Sequence, residues 1–478
     1  MNQNKMPILD ALKAHIKRNP VSFHVPGHKY GDLLPDEGKG YFQELLKLDA
    51  TELNGLDDLH SPEGIILEAE KLLGHFYSAK KSFFLVNGST VGNLAMIMAA
   101  VAENETVLVQ RNCHKSVLNG VQLVKAHPVF LGPDFDEEWG VAGEVSLHTV
   151  EKAVQEYPDA KAIILTYPNY YGMIHDIEEI IQYSHSKGIP VLIDEAHGAH
   201  FAGNDKFPRS AVQLKADIVV QSAHKTLPAM TMGAYLHFNS DILTERKVSD
   251  CLQLLQSSSP SYPIMASLDM ARHYLATYSN EDMNVFLQKI TEFRRRLQQL
   301  RGIRVLEYQN GKGDPLKITI QSTTSLSGYD LQSLLEGVGI YAEMADPYNI
   351  LLVFPLLKKD MDFPIEEIIS RFEAALQSIP NTQRCKIVNS FGKPKISKPS
   401  LSVKQMSSLK SESIHLEEAV GKICAQLLIP YPPGIPLLFP GEIIRKEDID
   451  FIKLLLKTGA RFQGGDSLKS GRIDIFHE

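Results

Sequence analysis

The sequence predicts an α/β fold built around a mainly parallel sheet. Two observations predict it. From about residue 83, apolar runs of strand length alternate with helical segments, the order expected of parallel βαβ units. The runs are rich in Val, Ile and Leu rather than alternating with polar residues, as strands buried on both faces should be. A third observation concerns their ends, where side chains capable of chemistry recur.

The elements follow in order. In MNQNKMPILDALKAHIKRNP, Ile8, Leu12 and Ile16 stand four residues apart. They predict a short amphipathic helix that stops before Pro20 and packs on its own chain or on a partner subunit. Charges interrupt this stretch, so it does not read as a signal peptide. SFFLVNG is a strand ending in a glycine turn, and STVGNLAMIMAAVA a helix with Ser89 or Thr90 as N-cap. TVLVQ is a strand and HKSVLNGVQLV a helix. AKAIILTYP is a strand, DIEEIIQYSHSKG a helix closed by Gly188, and PVLIDEAHG and ADIVVQSAHK are further strands.

Past about residue 280 the texture changes to a long charged helix, NEDMNVFLQKITEFRRRLQQL, and a smaller α+β region. GKPKISKPSLSVKQMSSLKSES, rich in Ser, Lys and Pro, reads as an exposed linker. These shifts divide the chain into an N-terminal arm (1–60), a large domain (61–280), a small α+β domain (281–385), a linker (386–412) and a C-terminal domain (413–478).

Composition narrows the function. The 478 residues are 44% hydrophobic, enough for a sizeable core, and carry a net charge of −8 with no basic run. That argues against nucleic acid as a partner. No apolar stretch is long enough to span a bilayer. The four cysteines, Cys113, Cys251, Cys385 and Cys424, form no CxxC pair. They predict neither a disulfide framework nor a metal site, and fit a reducing cytoplasm.

In an open α/β sheet, ligands sit beyond the carboxyl ends of the strands. Four groups fall there: Gly88-Ser89-Thr90, Asn112-Cys113-His114, Asp194-Glu195-Ala196-His197 and Ser222-Ala223-His224-Lys225. Singly, His114 reads as a structural histidine and Asp194 as a cap. Their shared placement points to one crevice. A pyridoxal 5′-phosphate site needs a lysine for the aldehyde and a carboxylate to keep the ring nitrogen protonated. It also needs a glycine turn at a helix N-terminus for the phosphate, and a planar side chain over the ring. Lys225, Asp194, Gly88-Ser89-Thr90 and His114 supply one each. The turn NGST lacks the ending of a nucleotide-triphosphate loop.

VNGST, RNCHKS, DEAHGAH and SAHKTLPAMTMGA together resemble the fold-type-I pyridoxal-phosphate enzymes, and among them the Orn/Lys/Arg decarboxylase family. FHVPGHK, TELNGLDDLHSPEG, GIYAEMADPYN and YPPGIPLLFPGE extend the resemblance in order along nearly the whole chain. FHVPGHK begins at Phe23, which matches the shorter bacterial members without an N-terminal response-regulator-like domain.

The resemblance implies a pyridoxal-phosphate-binding large domain, a small domain and a C-terminal domain. It makes Lys225 the covalent anchor of the cofactor and Asp194 the partner of the ring nitrogen. His114 would stack on one ring face and Ala196 on the other. Gly88, Ser89, Thr90, Ser222 and His224 would hold the phosphate, with His197 near the ring hydroxyl or the reacting carboxylate. The implied reaction is decarboxylation of lysine, arginine or ornithine to the amine. A basic substrate side chain needs a carboxylate, and Asp57, Asp58, Glu343, Asp346 and Glu442 are the candidates. A homodimer or higher homo-oligomer with shared sites is expected, the segment around Asp57 and His60 facing the partner's cofactor. An aminotransferase, with Arg371 or Arg384 holding the substrate carboxylate, and a non-enzymatic pyridoxal-phosphate regulator are the alternatives.

Overall fold

A computed structural model describes residues 1–377, 379, 387, 394–431 and 434–477. Arg384, Pro432, Pro433 and residues 386 and 388–393 of the expected linker lie outside the described residues. The chain forms two compact units. One comprises residues 1–100 and 184–280, the other residues 101–183 and 281–478.

In the first unit four strands lie in the order Lys81–Leu85, Ala234–Phe238, Ile218–Gln221, Val191–Asp194. The last two are parallel, as expected. Ala234–Phe238 is an unforeseen strand, antiparallel to both neighbours. Only 12 residues (222–233) separate it from Gln221, and they hold one helical turn, Ala223–Thr226, rather than a full crossover helix.

Helix Gly88–Ala100 lies over these strands. Gly92 permits the close approach: a Cβ there would stand 2.7 Å from Leu85 and Val220 side-chain atoms. The helix starts at Gly88, so Ser89 and Thr90 occupy its first turn instead of capping it. Gly88 is in the left-handed region, φ +77°, and donates its N–H to the Met232 carbonyl at 2.8 Å.

The N-terminal helix spans Pro7–Ile16 and is held by its own chain. Ile8 and Leu12 are buried, and the helix packs on Ile65–Tyr77 and Tyr262–Ala276. Asp269 accepts from Ile8 N–H at 3.1 Å. The fully buried Arg272 donates to Asp269 and to the Gln3 carbonyl. Apolar burial and a buried ion pair thus fix this helix to its own chain.

In the second unit the strand order is Ile163–Thr166, Thr106–Gln110, His127–Leu131, Ile396–Ser397. The first three are parallel and the fourth antiparallel. Helix Asn280–Gln298 matches the predicted charged helix. A separate antiparallel sheet follows, ordered Ile303–Val305, Lys317–Ser322, Asn349–Val353, Met344–Ala345. The C-terminal segment pairs Ser411–His415 with Arg472–Phe476 and buries Ile449, Ile452 and Leu455 of helix Lys446–Lys457 in its own core. Among the described residues no helix is long and apolar enough to cross a membrane.

Candidate active site

The first unit gathers nine of the predicted residues at the ends of its strands. Strand Val191–Asp194 ends on Asp194, which is 2% exposed. Asn93, on the overlying helix, donates to Asp194 Oδ2 at 2.9 Å, and the Ala196 N–H donates to Oδ1 at 3.2 Å. Strand Ile218–Gln221 leads into the short helix Ala223–Thr226 that carries Lys225. Lys225 Nζ lies 3.1 Å from His197 Nε2. The Ser222 hydroxyl donates to Ser89 Oγ at 2.8 Å, joining this strand end to the first turn of helix Gly88–Ala100. His224 Nδ1 and N–H both meet the Gly233 carbonyl, at 3.0 and 3.2 Å. Ala196 and His197 are buried, and Thr90 is exposed on the same first turn.

Glu195, next to Asp194, anchors the strand ends from beneath. It accepts from Ser210 Oγ at 2.7 Å, the Ala211 N–H at 2.6 Å and Gln221 Nε2 at 2.5 Å. Burial pushes its carboxyl up to about 8, against the pull of those three donors. Gln221 continues to His237, whose Nδ1 meets Ser82 Oγ at 2.7 Å. Gly198 closes the turn over Glu195, where a Cβ would stand 2.6 Å from the Glu195 side chain.

These residues fit pyridoxal phosphate. Asp194 is a buried carboxylate with no cationic partner among the described residues. Burial of such a group is costly, and a protonated ring nitrogen would offset it. The 13-residue helix starting at a left-handed glycine, beside the Ser89 and Ser222 hydroxyls, presents N–H donors suited to a phosphate.

The expected substrate carboxylates stand otherwise. Asp57, in the same unit, is left-handed at φ +70° and accepts the N–H groups of Asp58, Glu63, Gly64 and Ile66 at 2.8–3.1 Å. Burial acts to raise its carboxyl pKa, but the four donors outweigh it and hold it low. Asp58 Oδ1 accepts the His60 N–H at 2.7 Å, and His60 Nε2 meets the Ser257 carbonyl at 2.8 Å. In the second unit Glu343 is exposed. Asp346 accepts from the Tyr171 hydroxyl, from Asn349 Nδ2 at 2.8 Å and from the Tyr348 and Asn349 N–H groups. Burial, opposed by these donors, raises its pKa. Glu442 is buried and paired with Arg111, Nη2 to Oε2 at 2.6 Å. Arg371 pairs with Glu367 on its own helix.

His114, also in the second unit, caps helix Lys115–Leu123. Its Nδ1 accepts the Ser116 N–H at 3.3 Å and meets Ser116 Oγ at 2.8 Å. Sequence reasoning missed Asn93 and Arg111, and named Glu195 only as a member of its strand-end group. For Asn93 a signal existed: it is the polar residue within the apolar run VGNLAMIMAA, and a buried amide needs a partner.

The strand-end lysine, the buried carboxylate and the glycine-led helix define a fold-type-I pyridoxal-phosphate enzyme. A serine palmitoyltransferase structure with pyridoxal phosphate shares this fold, with a TM-score of 0.51, 18% identity and coverage of 65% of this chain and 76% of that one. The family-level match is closer. Residues 6–312 match the Orn/Lys/Arg decarboxylase major domain and residues 383–470 its C-terminal domain. The chain belongs to the Orn/Lys/Arg decarboxylase family, and is a pyridoxal-phosphate-dependent decarboxylase of a basic amino acid.

Among its relatives, the uncharacterized protein YaaO of Bacillus subtilis (strain 168) is 46% identical, over 99% of this chain and 98% of YaaO. The arginine decarboxylase of the same organism is 33% identical, over 100% of this chain and 99% of that protein. The constitutive lysine decarboxylase of Escherichia coli (strain K12) is 24% identical, over 96% of this chain and 78% of that protein. The lysine decarboxylase structure of Francisella novicida superposes with a TM-score of 0.83 at 22% identity, covering 99% of this chain and 81% of that one.

Proposed function

We propose that the chain decarboxylates arginine, releasing carbon dioxide and agmatine. The observation that carries this choice is that the relatives named arginine decarboxylase match end to end and more closely than those named lysine decarboxylase. Bound pyridoxal phosphate would supply the electron sink for the carboxylate's bonding pair. Lys225 would anchor it and Asp194 would hold the ring-nitrogen proton. Gly88, Ser89, Thr90, Ser222 and His224 would grip the phosphate, with Ala196 and His114 against the ring faces. Lys225 Nζ and His197 Nε2 lie 3.1 Å apart, and this pair would return a proton to the substrate α-carbon after carbon dioxide leaves.

The active form would be a cytoplasmic homodimer with shared sites. Its support is the segment around FHVPGHK, where Val21, Phe23 and Val25 are 80%, 95% and 64% exposed. Apolar side chains left in water beside a family motif suit an interface. Asp58 and His60 would belong to that shared wall.

A panel of arginine, lysine and ornithine, scored by amine product, tests the substrate. Arginine turnover at least about tenfold above lysine, a difference of about 1.4 kcal/mol in transition-state binding, is expected. Lysine preference would overturn the choice. Lys225→Ala should lose borohydride-trappable cofactor absorbance and nearly all turnover. Mixing inactive Lys225→Ala and Asp58→Ala chains should restore activity if the sites are shared. No recovery despite subunit exchange would count against sharing at Asp58.

A further inference from the structure

We propose that Arg111 and Glu442 are positioning residues for His114, so that the C-terminal segment 434–442 takes part in aiming this imidazole. This rests on the reading above that His114 meets the cofactor ring.

Arg111 follows the parallel strand Thr106–Gln110, and its side chain is 3% exposed. A buried guanidinium demands partners for its fork. Among the described residues, all its hydrogen-bond acceptors come from one short stretch, 436–442. Glu442 takes Nε at 3.1 Å and Nη2 at 2.6 Å. The Pro436 and Leu437 carbonyls accept from Nη1 at 2.7 Å and Nη2 at 3.0 Å. Glu442 Oε2 is fixed in turn by the Phe439 N–H at 2.8 Å. Phe130 lies under the guanidinium, 5.0 Å from its ring centre.

The other side of His114 is tied to the same part of the chain. The Lys115 N–H donates to the Gly434 carbonyl at 3.3 Å, and Lys115 Nζ to Gln463 Oε1 at 2.6 Å. Gly434 is left-handed, φ +86°, and a Cβ on it would stand 3.4 Å from His114 Cδ2. Its backbone therefore abuts the imidazole edge. His114 thus hangs between anchors at 111 and 115 that share one support. The bond to Ser116 fixes the rotation of its ring. An ion pair that only fastened the C-terminal segment would need no such second anchor on the histidine's far side.

The test compares Glu442→Gln and Arg111→Lys with Ile452→Val, a substitution in the C-terminal core at a residue that makes none of the clamp's hydrogen bonds. All are made in the full-length enzyme loaded with pyridoxal phosphate. The readouts are kcat and KM for the decarboxylated amino acid, melting temperature, and the ring NMR signals of labelled His114 assigned with His114→Gln. Loosening the clamp should lower kcat by about 10- to 100-fold with KM changed less, since small misplacements near reacting groups have effects of that size. It should also shift the His114 signals, whereas Ile452→Val moves only the melting temperature. If both clamp variants lower the melting temperature yet leave kcat and the His114 signals as in wild type, the positioning role is overturned. If one variant fails to fold, the other decides by the same readouts. Full activity in His114→Gln would refute the underlying cofactor contact instead, because the signal shift in the clamp variants is read independently of turnover.

Discussion

Lys225 Nζ and His197 Nε2 lie 3.1 Å apart at the ends of two adjacent strands. That distance is within hydrogen-bond reach, so one of the two can pass a proton to the other. His197→Gln keeps a polar group of similar reach but cannot relay a proton at neutral pH. Its kcat should fall by about 100-fold or more, the scale of a lost acid–base group, with cofactor still bound. Steady-state kinetics with a pH profile checks this, and an unchanged profile would remove His197 from proton transfer.

Asn93 donates to Asp194 at 2.9 Å inside the core. Asn93→Leu should leave one acceptor of Asp194 unsatisfied, at about 1–3 kcal/mol, and let the carboxylate swing. We expect weaker activity with the cofactor retained, and a deeper loss in Asp194→Ala. Equal activity in Asn93→Leu and wild type would show that the carboxylate is held without it.

Gly88 has φ +77° at the head of the helix that carries Ser89. Among the described residues, no atom beyond its chain neighbours and its own helix backbone lies within 4 Å of a Cβ added there, so a Gly88→Ala effect is conformational rather than a clash with packed neighbours. Strain of about 1–2 kcal/mol is expected. It should appear as weaker cofactor affinity, measured by titrating the apoenzyme.

Glu195 gives a pH prediction. Its carboxyl is pushed up to about 8 by burial, from an ordinary value of 4.5. Between those values the folded chain holds a proton that the unfolded chain releases. The resulting stability is fully present below about pH 4.5 and is lost as pH rises through about 8. Glu195→Gln cannot titrate. Denaturant unfolding at several pH values should therefore show wild type losing stability relative to the variant across that window. Parallel curves would mean that Glu195 does not titrate there.

Much of this protein was legible in the linear chain because its signals are local. Continuous Val/Ile/Leu runs bounded by turns mark buried parallel strands. The residues just after them share the carboxyl end of the sheet whatever the loops do, so Lys225, Asp194, Ser89 and Ser222 could be placed before any coordinates. The tertiary structure decided what depends on long-range pairing. Ala234–Phe238 pairs antiparallel within a sheet whose other runs suggested parallel order, because its orientation depends on how the chain returns. Asp57 and Glu442 looked like free carboxylates. In three dimensions Asp57 gathers four backbone N–H groups, and Glu442 neutralises an arginine 331 positions away. Sequence reports which groups carry charge, but a buried charge is committed to whichever partner the fold brings within hydrogen-bond reach, and that partner is set by packing.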